Sequence, residues 1–228
     1  MLEEVKALLR GDTDFIVGSL GQSSVQLLAR YCLIISIGSA VYGSTLGLWR
    51  APLQSLYTAI KFPLIIFLTS IANGTINGML AQLLGSGLSF KQTALAILMS
   101  FAIAATILGG FAPITLFVWF NTPPLESKAA VLGHSIMLLM HVLVITLAGV
   151  IANWRLLELL RKISGCDRTA GAVLFSWLAG NFFLGAQLAW SLRPFVGSPD
   201  LAVRFFRDDP FRGNFYEAVW RALRHLFF

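Results

Sequence analysis

The stretch Ile136-Met137-Leu138-Leu139-Met140-His141-Val142-Leu143-Val144-Ile145-Thr146-Leu147-Ala148-Gly149-Val150-Ile151-Ala152 decides the fold. It lies inside a run from Ala129 to Trp154 that holds no Asp, Glu, Lys or Arg. A helix needs roughly 20 apolar residues to cross a ~30 Å hydrocarbon layer, so this run predicts a membrane span. Working outward, four more runs have the same character: Tyr31 to Trp49, Phe62 to Leu84, Thr93 to Phe120 and Ala170 to Leu192. The expected fold is all-α: a polytopic transmembrane bundle of five spans, with amphipathic interfacial helices at both termini.

Composition agrees. Of 228 residues, 57% are hydrophobic and 12% charged, whereas a soluble domain carries about 25% charged residues. The arithmetic leaves no room for a second domain. Residues 1–24 read as an N-terminal interfacial helix and polar lead, 25–196 as the bundle, and 197–228 as a C-terminal loop and amphipathic helix. In the lead, Leu2, Val5, Leu8 and Leu9 recur at helical spacing, with Glu3 and Glu4 early and Lys6 and Arg10 late, as the helix dipole favours. The positive-then-apolar order of a cleaved signal peptide is absent, so the first span is expected to be retained. Gln54 to Lys61 read as a short amphipathic link before the second span, Pro63 falls in that span's first turn, and Pro113 is expected to kink the third. The charged stretch Arg155 to Arg168 separates the last two spans.

The 17 basic residues outnumber the 11 acidic ones, an excess that favours anionic lipid headgroups over nucleic acid as partners. Lys and Arg over the N-terminal and connecting segments favour a cytoplasmic N-terminus under the positive-inside rule; the basic tail pulls the other way. The expected location is the bacterial inner membrane.

All 11 acids fall outside the expected spans. Ionisable groups within the membrane mark coupled transport pathways and carboxylates serve metal catalysis, so their positions argue against both. Cys32 and Cys166 form neither a disulfide framework nor a Cys-x-x-Cys pair. His134, Met137 and His141 share a face of the fourth span and are the one set with metal-ligand or haem spacing; bonding to neighbouring side chains is the plainer reading. Pairing of His134 or His141 with Ser100 or Ser176 lacks a nucleophile-elbow motif, and no phosphate-binding glycine pattern occurs. The expectation is a protein that is not an enzyme and uses no cofactor.

Polar residues within the spans are patterned. Ser70, Asn73, Gly74, Asn77, Gly78 and Ala81 form a small, polar stripe on the second span. Ser39, Gly43 and Gly47 repeat every four residues on the first, and Ser176, Gly180, Gln187 and Ser191, with Asn181 beside them, mark the fifth. Such stripes pack helices closely; the alternative is a polar path along Asn73, Asn77, Asn181 and Gln187. In the tail, Asn214 and Glu217 suit a capping box. Phe215, Val219, Trp220, Leu223 and Phe227 oppose Glu217, Arg221, Arg224 and His225, which fits either the membrane interface or a partner subunit. Arg193, Arg204, Arg207 and Arg212 alternate with Phe and Asp in a segment too dense for a solvated linker, and read as an ordered cap or a docking surface.

The five-span plan, with Arg50-Ala51-Pro52 opening a short linker and Ser89-Phe90-Lys91-Gln92 before the third span, resembles the Yip family of membrane proteins and its bacterial relatives over residues 45 to 120. The cytoplasmic motifs of the eukaryotic members are not evident in Met1 to Arg30. The resemblance implies a non-enzymatic membrane protein acting through partners. The expected function is thus an assembly, scaffold or accessory subunit of a membrane complex, with other membrane subunits or further copies of the chain as partners; the alternative is a small-solute permease or channel subunit.

Overall fold

A computed structural model describes residues 2–10, 12, 16–18 and 25–227. Its main helices are α1 (Leu2–Arg10), α2 (Val25–Leu48), α3 (Pro52–Leu83), α4 (Phe90–Phe120), α5 (Ala130–Ser164), α6 (Asp167–Ser191) and α7 (Phe215–Phe227). The five from α2 to α6 are each long and apolar enough to cross a membrane. The side chains of Leu2, Glu3, Glu4, Val5 and Phe227, and most of the polar lead, lie outside the described residues.

Two boundaries differ from expectation. Gln54 to Lys61 is not a link: α3 is one helix of 32 residues, about 48 Å at 1.5 Å per residue, so its first turns extend beyond what a ~30 Å layer requires. Pro63 is therefore inside the helix rather than in its first turn. Likewise α5 runs 35 residues and absorbs Arg155, Glu158, Arg161 and Lys162 before Gly165 ends it at a positive φ of 63°. Apolarity marks where a helix is in lipid, and the backbone ladder continues past it. The helix α4 passes Pro113 unbroken, starting at a capping box made by Ser89 and Gln92.

The spans close a circuit in which α2 packs on α3 and α4, α3 on α6, and α5 on both α4 and α6. Small residues set the close contacts of α2. A Cβ on Gly47 would come within 2.5 Å of the Gln54 backbone, and one on Gly38 within 2.4 Å of the Ala105 carbonyl oxygen. The Ser39, Gly43 and Gly47 stripe thus works as a packing seam, with Ser39 fully buried. A methyl group at Gly38 meets first the Ala105 backbone, which cannot swing aside, and such overpacking costs about 1–3 kcal/mol. That outweighs the roughly 1 kcal/mol of helix propensity gained. Gly38→Ala should therefore lower the thermal unfolding midpoint in detergent, whereas Gly149→Ala, with nothing within 4 Å, should not.

The largest apolar cluster joins Ile35, Met99, Ala102 and Ile103 to Leu159, Val173 and Trp177. Leu8 and Ile16 belong to it as well, and Arg155 donates to the Leu9 carbonyl, so the N-terminal helix packs partly on the bundle itself. Large side chains such as Ile71, Phe117, Leu143, Phe182 and Phe183 point outward, as lipid-facing positions do.

Candidate functional site

The polar stripe of α3 divides between two neighbours. Asn73 and Asn77 face α6, where the Asn73 amide donates to Asn181 Oδ1 at 2.9 Å and the Asn77 amide reaches the same oxygen at 3.5 Å. Trp177 Nε1 donates to the Asn77 carbonyl at 2.9 Å, and Gly180 gives Asn73 room, since a Cβ there would lie 2.9 Å from its amide nitrogen. Ser70 and Gly74 instead line an apolar cleft with Leu28, Cys32 and Phe90, and Ser70 bonds to the Ile66 carbonyl of its own helix. Gly78 is buried beside the Phe90 ring. Gln187 is exposed on α6 and does not join Asn73, Asn77 and Asn181. Substituting Asn181 by Leu strands both amides, and interhelical bonds of this kind contribute about 0.6–2 kcal/mol. The expected result is a lower unfolding midpoint in detergent with an intact α-helical spectrum.

The histidines part company too. His141 Nδ1 meets the Tyr42 hydroxyl at 2.9 Å, His134 packs against the Trp49 ring, and Met137 Sδ accepts from Thr122 Oγ1 at 3.6 Å. Each side chain of that face is engaged with a different neighbour.

A second polar assembly has no motif that marks it in the sequence. Gln54, Thr58 and Lys61 are spaced four and three apart, so they share one face of α3, and all three are fully buried at 0% exposure. Every one donates to main-chain oxygens of the segment after α6. Gln54 Nε2 bonds Pro194 O at 2.8 Å and Phe195 O at 3.1 Å; Thr58 Oγ1 bonds Phe195 O at 3.1 Å. Lys61 Nζ bonds Pro194 O at 3.2 Å and also Phe205 O. Arg50, one turn before, adds Ser198 O and Leu201 O, both at 3.0 Å. Three rings enclose the Lys61 ammonium, Phe205 at 4.6 Å and Phe195 and Phe206 each at 5.7 Å, an arrangement that stabilises a cation shielded from water. A loop without a β-partner has carbonyls to satisfy, and this helix face satisfies them. The segment is an ordered cap, seated on α3 as well as on the end of α6.

Arg193 closes its far side. Its guanidinium donates to the carbonyls of Trp190 (3.1 Å), Pro210 (2.7 Å), Asp209 (2.6 Å) and Arg212 (3.1 Å). It lies 4.1 Å from the Trp190 ring centroid and 3.5 Å from the Asp209 carboxylate. Trp190 Nε1 donates to Arg212 O, and Arg204 pairs with Asp208. Asn214 Oδ1 accepts from the Glu217 backbone at 2.9 Å, and its amide returns a bond to Glu217 Oε1 at 2.7 Å. This caps α7, although the return bond uses the Asn214 side chain rather than its backbone.

The amphipathic helix α7 lies against α5 of its own chain through Ala222, which is 4% exposed. Trp220 stands 62% and Tyr216 60% exposed, with Arg221 and Arg224 also exposed. The interior neighbour of the helix is thus the bundle, and its aromatic edge is left for lipid or a partner. Between the cap and α7 opens a cavity of about 670 Å³ lined by Trp190, Arg193, Arg207, Arg212, Arg221 and Glu217 among others. Burial, then the charge of Arg193, hold the Arg207 pKa below its ordinary value, against the opposing pull of Asp209.

Compared with known proteins, the chain matches no protein-family model, no curated protein and no solved structure.

Proposed function

We propose that the protein is a non-catalytic assembly or accessory subunit of a bacterial inner-membrane complex, docking its partner through the cap and α7. One observation carries this reading: rigid aromatic side chains stand outward from a tightly bonded cap. Phe211 is 87% exposed, and with Tyr216 and Trp220 it is flanked by Arg212, Arg221 and Arg224. Aromatic residues and arginine on a preorganised surface are the composition of interface hot spots, and the cap is held by bonds to its backbone, which leaves these side chains unspent. The same edge suits the headgroup layer, where Trp and Tyr gather. This agrees with the partner-dependent role implied by the Yip-family resemblance. Purification from native membranes in mild detergent, followed by native mass spectrometry, should recover a species larger than the monomer. Trp220→Ala should reduce it to the monomer. Recovery of monomer alone from wild-type membranes refutes the reading. We place the N-terminus in the cytoplasm; a C-terminal reporter active only in the cytoplasm would reverse that orientation.

A permease along the α3–α6 seam is the second reading. It draws on Asn77 Oδ1 and Thr69 Oγ1, two buried polar atoms without a hydrogen-bond partner among the described residues. Solute flux in proteoliposomes that disappears on Asn77→Leu would support it over the first.

A further inference from the structure

We propose that the basic cavity beneath α7 is a binding site for the phosphate of an anionic phospholipid headgroup. The inference rests on the five spans crossing a membrane and is independent of whether the cap also docks a protein.

Four guanidiniums, those of Arg193, Arg207, Arg212 and Arg221, line it with two carboxylates, Asp209 and Glu217. Both acids are already engaged, Asp209 by Arg193 and Glu217 by the Asn214 amide. Arg193 is likewise committed to loop carbonyls. The other three arginines are not. Arg207 makes one long bond to Ala202 O at 3.4 Å and Arg221 one to Glu217 O at 3.4 Å. Each guanidinium carries five N–H donors in a planar fork, so most of the donor capacity of three forks is unspent around one opening.

Four guanidiniums against two carboxylates leave the cavity positive, and a tetrahedral oxyanion relieves that excess. Arginine forks pair with phosphate oxygens two bonds at a time, and the volume lies within the ~300–1,000 Å³ range of small-molecule sites. The location selects the source. The cavity opens at the end of α6, where Trp190 lines it, and Trp220, the residue before Arg221 on α7, is exposed, as tryptophans of the headgroup layer are. A phosphodiester held by its own leaflet can reach it from there.

The test uses the full chain in nanodiscs of phosphatidylcholine, with or without phosphatidylglycerol, read by retained lipid in native mass spectrometry and by thermal midpoint. Wild-type protein should retain phosphatidylglycerol over phosphatidylcholine and melt higher in its presence. Arg207→Gln combined with Arg212→Gln should cut that retention about tenfold per guanidinium removed while leaving phosphatidylcholine retention unchanged. Both positions make no more than a long bond to the loop, so the variant folds; its melting point in phosphatidylcholine alone, equal to wild type, verifies this. Arg212→Lys keeps the charge and should recover part of the retention. Equal phosphatidylglycerol retention by wild type and the double variant overturns the proposal. A melting shift of the detergent-solubilised protein by inorganic phosphate or glycerol 3-phosphate, matching that of the lipid, overturns the lipid source in favour of a soluble phosphate ester. Partner loss on Trp220→Ala is read separately, so the docking reading and this one fail independently.

Discussion

Lys61→Glu should release the C-terminal cap from α3. The native ammonium is fully buried and donates to the carbonyls of Pro194 and Phe205 beneath three phenylalanine rings. A carboxylate in its place has no donor to meet: it faces carbonyl oxygens and the negative faces of the rings. Leaving a buried charge uncompensated costs about 3–5 kcal/mol, which exceeds what any one of the remaining bonds is expected to hold, about 0.5–1.5 kcal/mol for those of Gln54 and Thr58 and about 1.5–3 kcal/mol for those of the charged Arg50. The opened fraction should rise about a hundredfold or more. Tryptic cleavage between residues 194 and 207 in proteoliposomes measures it, because cleavage follows the open population when closing is fast. Lys61→Met, which keeps the stem and its packing but strands the carbonyls, should lie between the two, at a cost of about 1–3 kcal/mol. Unchanged cleavage in both variants would mean that α3 does not hold the cap.

That lysine also shows where sequence reading stops. The five spans were legible because each is an uncharged run that only lipid requires. The first turns of α3 escape the same signal: a span read from apolarity begins at Phe62, whereas the helix begins at Pro52, and the polar face of those turns reads as the surface of a link. The spacing of Gln54, Thr58 and Lys61 was available as a signal, since three polar groups on one helix face next to a span need a partner. What they bond to was not available, because every residue owns a carbonyl and none advertises it. The Asn73 and Asn77 stripe was legible as a contact, yet a helix with neighbours on two sides divides its stripe between them, so Ser70 and Gly74 went to a cleft near α2 and α4. Gln187, on the same face of α6 as Gly180 by spacing, is exposed. The arginines of the tail were legible as a group but not by role. Arg193 is spent inward on its own loop, and Arg207, Arg212 and Arg221 are turned to one cavity.

Arg193→Ala should be the second large effect, and its pattern separates geometry from charge. One planar group serves four carbonyls at 2.6 to 3.1 Å and stacks on Trp190, so its removal takes a charged donor from both sides of the loop while also uncovering the ring. Its side chain is 18% exposed and the Asp209 carboxylate 56%; water screens that ion pair, which contributes at most about 1 kcal/mol. The carbonyl bonds dominate: hydrogen bonds from a charged donor contribute about 1.5–3 kcal/mol each before correlation among them is considered, so a loss of several kcal/mol is expected for the loop. Lysine cannot restore it. A single ammonium has three donors radiating from one point and no plane to lay on Trp190, whereas the native fork spans Trp190 O, Pro210 O and Arg212 O at once. Arg193→Lys should therefore resemble Arg193→Ala far more than wild type, with faster proteolysis near Pro210 and an altered Trp190 emission in both. If lysine restores both readouts, charge alone holds the cap, and the carbonyl geometry around Arg193 is incidental.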